Sequence, residues 1–147
     1  MTDINVFVSK WNGKHVDADG SKPNSPTYDQ CVDLIVEWQK ENHWPVIDVN
    51  AVDFWKLPHI GYTKVANNPK DPNQFPPAGA IAVLNEGLFG HVVLVLPGTN
   101  GHHLVAFQQN APQVGVMHGT IFVPGSPCNV ATYNYIKPTV LGWLVKQ

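Results

Sequence analysis

The sequence predicts an α+β fold in which N-terminal helices pack on a C-terminal antiparallel β-sheet. Three observations carry that expectation. Apolar residues recur at helical spacing before Pro45. After Pro77 the chain breaks into short β-branched or aromatic runs punctuated by Gly, Pro and Asn. The connections between those runs are too short for βαβ crossovers.

Ile4, Phe7, Val8 and Trp11 fall at i, i+3, i+4 and i+7, a short amphipathic helix that Gly13 is placed to stop. Residues 15–29 are dominated by turn formers from Asp17 to Pro26 and have almost nothing to bury, so they are expected at the surface. Residues 30–43 carry the clearest helical pattern, with Cys31, Leu34, Ile35 and Trp38 on one face, Glu37, Lys40 and Glu41 toward water, and Pro45 as the stop. Cys31 therefore lies in the first turn. Residues 50–55 read as a third short helix before Pro58, and 67–77, with four prolines, as a long connection. Strands are expected at 81–84, 91–96, 104–109, 120–123, 132–136 and 140–145. No repeat or low-complexity tract interrupts the pattern.

The chain has 147 residues and a formal charge of −2, with 44% apolar and 14% charged residues. That composition has too much to bury and too little charge for a disordered chain, and the length fits one folded domain over 1–147. A pI near 6.3 offers no basic stripe for phosphate contacts, so nucleic-acid binding is disfavoured; a peptide or a small molecule suits it better. Two cysteines, Cys31 and Cys128, cannot build a disulfide framework, although one long-range bridge stays open. The first residues contain Asp3 and lack the basic flank and apolar run of a signal peptide, and no stretch approaches the roughly eighteen apolar residues of a membrane span. The chain is expected to be made without a leader and kept soluble.

Cys31 has two readings. Free cysteines are commonly buried core residues. A thiol in a helix's first turn also feels the positive end of the dipole and the unpaired N–H groups, which favour thiolate and can receive an oxyanion. The backbone N–H of Cys31 and the Gln30 side chain, both at the helix start, are the candidate oxyanion donors. A cysteine nucleophile needs a base held in one tautomer. Among seven histidines, His91 follows Phe89-Gly90 and opens the apolar run Val92 to Leu96, a rigid mounting; the plain alternative is a polar residue marking a strand edge.

The run Leu104 to Asn110 ends in three amides, and period two puts Gln108 and Asn110 on one face, with Phe107 and Gln109 on the other. If this strand pairs with that of His91 through the turn at Pro97 to Gly101, either Gln108 or Asn110 can hold one imidazole nitrogen and leave the other for sulfur. The alternative is that the amides merely cap a strand end. Asp17, Asp19 and Asp33 supply hard oxygen ligands suited to Ca²⁺, against the reading of a solvated acidic loop; Tyr28 stands where an EF-hand needs a bidentate Glu. His102 and His103 read as surface residues. Trp38, Trp44, Trp55 and Trp143 read as core rather than sugar platforms, and Cys128, in a loop without a base nearby, as non-catalytic.

Four segments, taken together, carry a resemblance: Tyr28-Asp29-Gln30-Cys31-Val32-Asp33-Leu34, Pro77-Ala78-Gly79-Ala80-Ile81-Ala82-Val83, Gly90-His91-Val92-Val93-Leu94-Val95 and Phe107-Gln108-Gln109-Asn110. In order and spacing they resemble the CHAP family of cysteine, histidine-dependent amidohydrolases/peptidases, and the similarity extends to Leu141-Gly142-Trp143-Leu144. The resemblance implies a papain-like fold and hydrolysis of an amide bond in bacterial peptidoglycan. The activity would be that of an N-acetylmuramoyl-L-alanine amidase or of a stem or cross-bridge endopeptidase.

It further implies a phage endolysin, or a lytic module carried on a phage particle. Such a protein is made in the host cytoplasm, released through a holin where it is not particle-borne, and acts on the wall as a monomer. Cys31 matches the family's nucleophile, His91 its base and Asn110 its Asn. Gln108 stands where many members have an acidic residue, and Ala80 where the family usually has an Asp. The family's calcium loop resembles Asp17 to Gly20 together with Asp33, but the loop between Gly20 and Gln30 is longer here. Two other functions are kept open: a non-catalytic wall-binding or structural phage module, and a cysteine peptidase acting on proteins.

Overall fold

Helix α1 (Ile4–Trp11) starts where the Asp3 carboxylate accepts the backbone N–H groups of Asn5 and Val6, at 2.8 and 3.3 Å. It ends at Trp11, two residues before Gly13, which takes a φ of +80°. In this computed structural model the residues described are 2–18, 30–111, 116–118, 121–123, 125–136 and 139–147. Most of the loop expected at the surface, from residue 19 to 29, lies outside them. Its first part is not superficial. Val16 is buried, held by both its N–H and its carbonyl, because Gln109 reaches it from the far side of the chain.

Helix α2 (Cys31–Glu41) has Gln30 at its N-cap in an extended conformation, and Asp33 reaches back to accept the Gln30 N–H at 2.8 Å. The helix stops ahead of Pro45. The Asn42 side chain donates to the Trp38 carbonyl and His43 takes a φ of +56°, so the end is set by a local cap and not by proline alone. Helix α3 is shorter and later than expected, Asp53–Lys56.

The strands are β1 (Tyr62–Ala66), β2 (Ile81–Asn85), β3 (His91–Val95), β4 (Leu104–Gln108), β5 (Val116–His118), β6 (Ile121–Val123), β7 (Asn129–Tyr133) and β8 (Thr139–Lys146). Among the described residues they form a six-stranded sheet in the order β1-β8-β2-β3-β4-β7 and a separate β5-β6 pair. Every pairing is antiparallel, as the sequence predicts. Strands β1 and β5 were not anticipated. β1 exists because the long strand β8 offers it an edge, which local pattern cannot announce. The strand expected at 132–136 is displaced to Asn129–Tyr133, because pairing with β4 sets Leu104 against Tyr133 and Gln108 against Asn129.

Both faces of the central strands are buried. On one face α1 and α2 cover the sheet, and Phe7, Leu34, Ile35, Trp38, Val92, Leu94 and Phe107 share one cluster with Cys31 and Cys128. On the other, Val93, Val95, Leu104, Ala106 and Trp143 form a second cluster. Trp38 and Trp143 are core residues, as expected. Period two therefore separates Val92 and Leu94 from Val93 and Val95 along β3, and α2 packs on β3 from the first face. No helix among the described residues is long and apolar enough to cross a membrane.

Candidate active site

Cys31 opens α2, and its sulfur is surrounded by amide donors. The backbone N–H groups of Val92, Val32 and Cys31 itself are directed at it. The Val92 N–H belongs to the peptide unit that follows His91, so the thiol lies against the first residues of β3. The donors act in the direction expected for a helix start, yet they do not decide the protonation state. Burial pushes the Cys31 thiol up to about 11, with the Asp33 carboxylate adding to the effect. Desolvation of the charged sulfur outweighs the pull of the helix end toward thiolate.

His91 is 5% exposed at the first position of β3. Gly90, with a φ of +74°, turns the chain into the strand; a Cβ there would stand 3.0 Å from the backbone nitrogen of Val52, so this approach requires glycine. The adjoining Phe89 carbonyl accepts the Val52 N–H at 2.8 Å, tying the residues before His91 to the α3 segment. Burial lowers the imidazole pKa, opposed by the Gln108 hydrogen bond and by the charge of Glu86. Burial thus disfavours the charged form of both side chains.

The His91 ring nitrogen Nε2 lies 3.0 Å from Gln108 Oε1. Gln108 is 2% exposed; its oxygen also accepts from the Tyr133 hydroxyl, and its Nε2 donates to Asn129 Oδ1 at 3.1 Å. Asn110 stands beyond the end of β4 in the left-handed region, φ +62°, with its backbone N–H donating to the Ser126 carbonyl. Of the two rival amides, the one bonded to the ring is Gln108.

A cleft of about 550 Å³ opens at the helix start, lined by Gln30, Cys31 and Asp33 and by Asp48, Asn50, Phe89 and Gly90 among others. The lining between Asp48 and Asp53 carried no sequence signal, since these residues belong to no motif and converge on Cys31 only through the fold. Asn129 and Tyr133 were missed for a related reason: the displaced β7 brings them to Gln108. Gln109, fully buried, faces away from Gln108, as the period of two predicts. Its Oε1 accepts from the Val16 N–H and the Cys128 thiol, and its Nε2 donates to the carbonyls of Val16 and Gln30.

Cys31 and Cys128 are both thiols, and no disulfide joins them. His102 and His103 are exposed, as expected. Of the calcium set, Asp19 lies outside the described residues, and Asp33 already accepts the Gln30 N–H. Asp17 is half-buried. Among the described residues no group of three His, Cys, Asp or Glu side chains is arranged to hold a metal.

No family model matches the chain, and no curated protein matches it. Solved structures do. The crystal structure of a wild-type endolysin, LysIME-EF1, matches with a TM-score of 0.73 at 24% identity over 99% of this chain. The crystal structure of Ly7917 matches with a TM-score of 0.54 at 16% identity, again over 99% of this chain. The chain spans 65% and 63% of those two proteins. What it shares with them is the fold: helices on an antiparallel sheet in the arrangement of an endolysin.

Proposed function

We propose that this chain hydrolyses an amide bond of bacterial peptidoglycan by the Cys–His chemistry that its CHAP resemblance implies. The observations that support the reading meet at the start of β3: the Val92 N–H, in the peptide unit after His91, is directed at the Cys31 thiol, and the His91 imidazole has its Nε2 taken up by Gln108. The shared fold with an endolysin supports the choice of substrate. His91 takes the thiol proton on Nδ1 as Cys31 Sγ attacks the carbonyl carbon, giving a tetrahedral oxyanion. The N–H groups at the start of α2, with the Gln30 side chain beside them, receive that charge. Collapse breaks the C–N bond, and His91 returns its proton to the leaving amine. Water, deprotonated by His91, then hydrolyses the thioester and frees the thiol. No step runs through calcium.

Burial disfavours a stored thiolate, so Cys31 reacts as a thiol whose proton His91 takes. The cleft next to Cys31 suits a peptide strand, and the site of action is the wall, reached by holin release or from a phage particle. Purified walls treated with wild type and with Cys31→Ala test the reading. Wild type clears them and exposes a new amino terminus, identified by mass spectrometry of the fragments; the variant stays folded and inactive. Wall lysis by Cys31→Ala at the wild-type rate overturns the mechanism. Cleavage of casein with intact walls moves the substrate to proteins.

A further inference from the structure

A side-chain amide has a donor end and an acceptor end, and either can face an imidazole. Around Gln108 the choice is removed by backbone atoms. Asn129 Nδ2 stands 2.8 Å from the Ala111 carbonyl and 2.9 Å from the Pro127 carbonyl. Backbone carbonyls only accept, so the end of Asn129 facing them is the NH₂ group, and its Oδ1 is the end turned to Gln108. That oxygen in turn only accepts, so the Gln108 atom 3.1 Å away is Nε2. Gln108 Oε1 is left facing His91 Nε2 at 3.0 Å and accepts the Tyr133 hydroxyl as well. An oxygen acceptor requires a proton on Nε2, and a neutral ring protonated there has its lone pair on Nδ1.

We propose that Asn129 on β7 is a positioning residue that sets the tautomer of His91 by fixing which way the Gln108 amide points, while the Tyr133 hydroxyl on the same strand tunes how strongly Gln108 Oε1 accepts. The catalytic consequence rests on the Cys31–His91 reading; the tautomer itself does not. A carboxylate at this place needs no such control, because both of its oxygens accept. A neutral amide does, and the register that sets Gln108 opposite Asn129 supplies it. Burial and the charge of Glu86 raise the Tyr133 pKa, which keeps its hydroxyl a donor. A carboxylate at 108 would instead set two acceptors face to face at Asn129 Oδ1, so this polar cluster fits glutamine specifically.

The test reads the ring directly, on resting full-length chain labelled with ¹⁵N in its histidines and without substrate. Wild type is expected to show His91 with protonated Nε2 and unprotonated Nδ1. Asn129→Ala is expected to give a mixture of tautomers and a loss of wall lysis of about tenfold, the order expected when tautomer control weakens and the dyad survives. Tyr133→Phe leaves the Nε2–H form in place. It also removes one donor from Gln108 Oε1, so the acid limb of the activity profile moves upward by roughly half a pH unit as that oxygen accepts more strongly from imidazolium. A wild-type ring protonated on Nδ1 overturns the proposal whether or not any variant folds, as does a folded Asn129→Ala with a pure Nε2–H ring. If the tautomer shifts as stated while wild type never attacks walls, the relay stands and the hydrolase reading falls.

Discussion

Gln108 and Gln109 are chain neighbours at the end of β4, and their side chains serve opposite faces of one sheet. Gln108 spends its oxygen on an imidazole and a phenol, and its nitrogen on another amide. Gln109 faces the helices and joins Val16, the N-cap carbonyl of α2 and the Cys128 thiol, so three distant segments meet at one carboxamide. The difference lies in the partners. Backbone groups need permanent satisfaction once buried, so Gln109 is a staple. An imidazole has two tautomers and two charge states, so Gln108 selects among states that all fold.

The largest effect separating the two is expected at Gln108. Gln108→Ala should lower wall lysis on the order of tenfold to a thousandfold, since the thiol and base survive but the tautomer is released. Its melting temperature should move little by comparison. Asn110→Gly should cost less activity, because glycine keeps the left-handed backbone at that position and the ring bond belongs to Gln108. Equal losses in the two variants would return Asn110 to the ring, and silence in both would remove the amides from the mechanism.

Gln109→Ala should invert the pattern. It strands the Val16 N–H and carbonyl in a buried site, and leaving such groups unpaired costs about 2–4 kcal/mol of stability. Urea unfolding measures this, and activity per folded molecule should fall less than in Gln108→Ala. A variant as stable as wild type but inactive would make Gln109 part of the chemistry.

The smallest effect is a pH dependence of stability. Burial lowers the folded pKa of His91 below its ordinary 6.5, so the unfolded chain binds this proton first as acid is added. Stability from this group is complete above pH 6.5 and declines as pH falls below it, with a limiting slope of about 1.4 kcal/mol per pH unit. Cys31 acts at the other end. Its thiol is raised from 9.0 to about 11, so the unfolded chain ionises first and stability is lost as pH rises from 9 toward 11. Cys31→Ala should remove the part of the alkaline decline that begins at pH 9, leaving the part above pH 10 that the raised Tyr62, Tyr133 and Tyr135 hydroxyls contribute, and should leave the acid decline unchanged, a contrast that denaturant titrations at several pH values resolve.

Much of the fold was legible because it is written at short range. Ile4 to Trp11 and Cys31 to Trp38 announce helices by spacing, and the apolar runs that open at Ile81, His91 and Leu104 announce strands at almost their observed bounds. Errors fall where a partner decides. The β-branched and aromatic content at 132–136 suggested a strand there, but β4 pairs with Asn129–Tyr133. Tyr62–Ala66 became a strand because β8 lies beside it, and Val16 left the surface because Gln109 reaches it.

By itself the sequence determined that a cysteine begins a helix, that a histidine begins an apolar strand, and that Gln108 and Gln109 face apart, since each follows from periods of 3.6 or 2 along a continuous stretch. Tertiary structure alone decided that Gln108 and not Asn110 meets the ring, that Asn129 and Tyr133 bond to that amide, and that burial raises the Cys31 thiol. Those outcomes depend on strand register and on removal of water from a charge. Both are set by segments tens of residues apart, at distances no local pattern records.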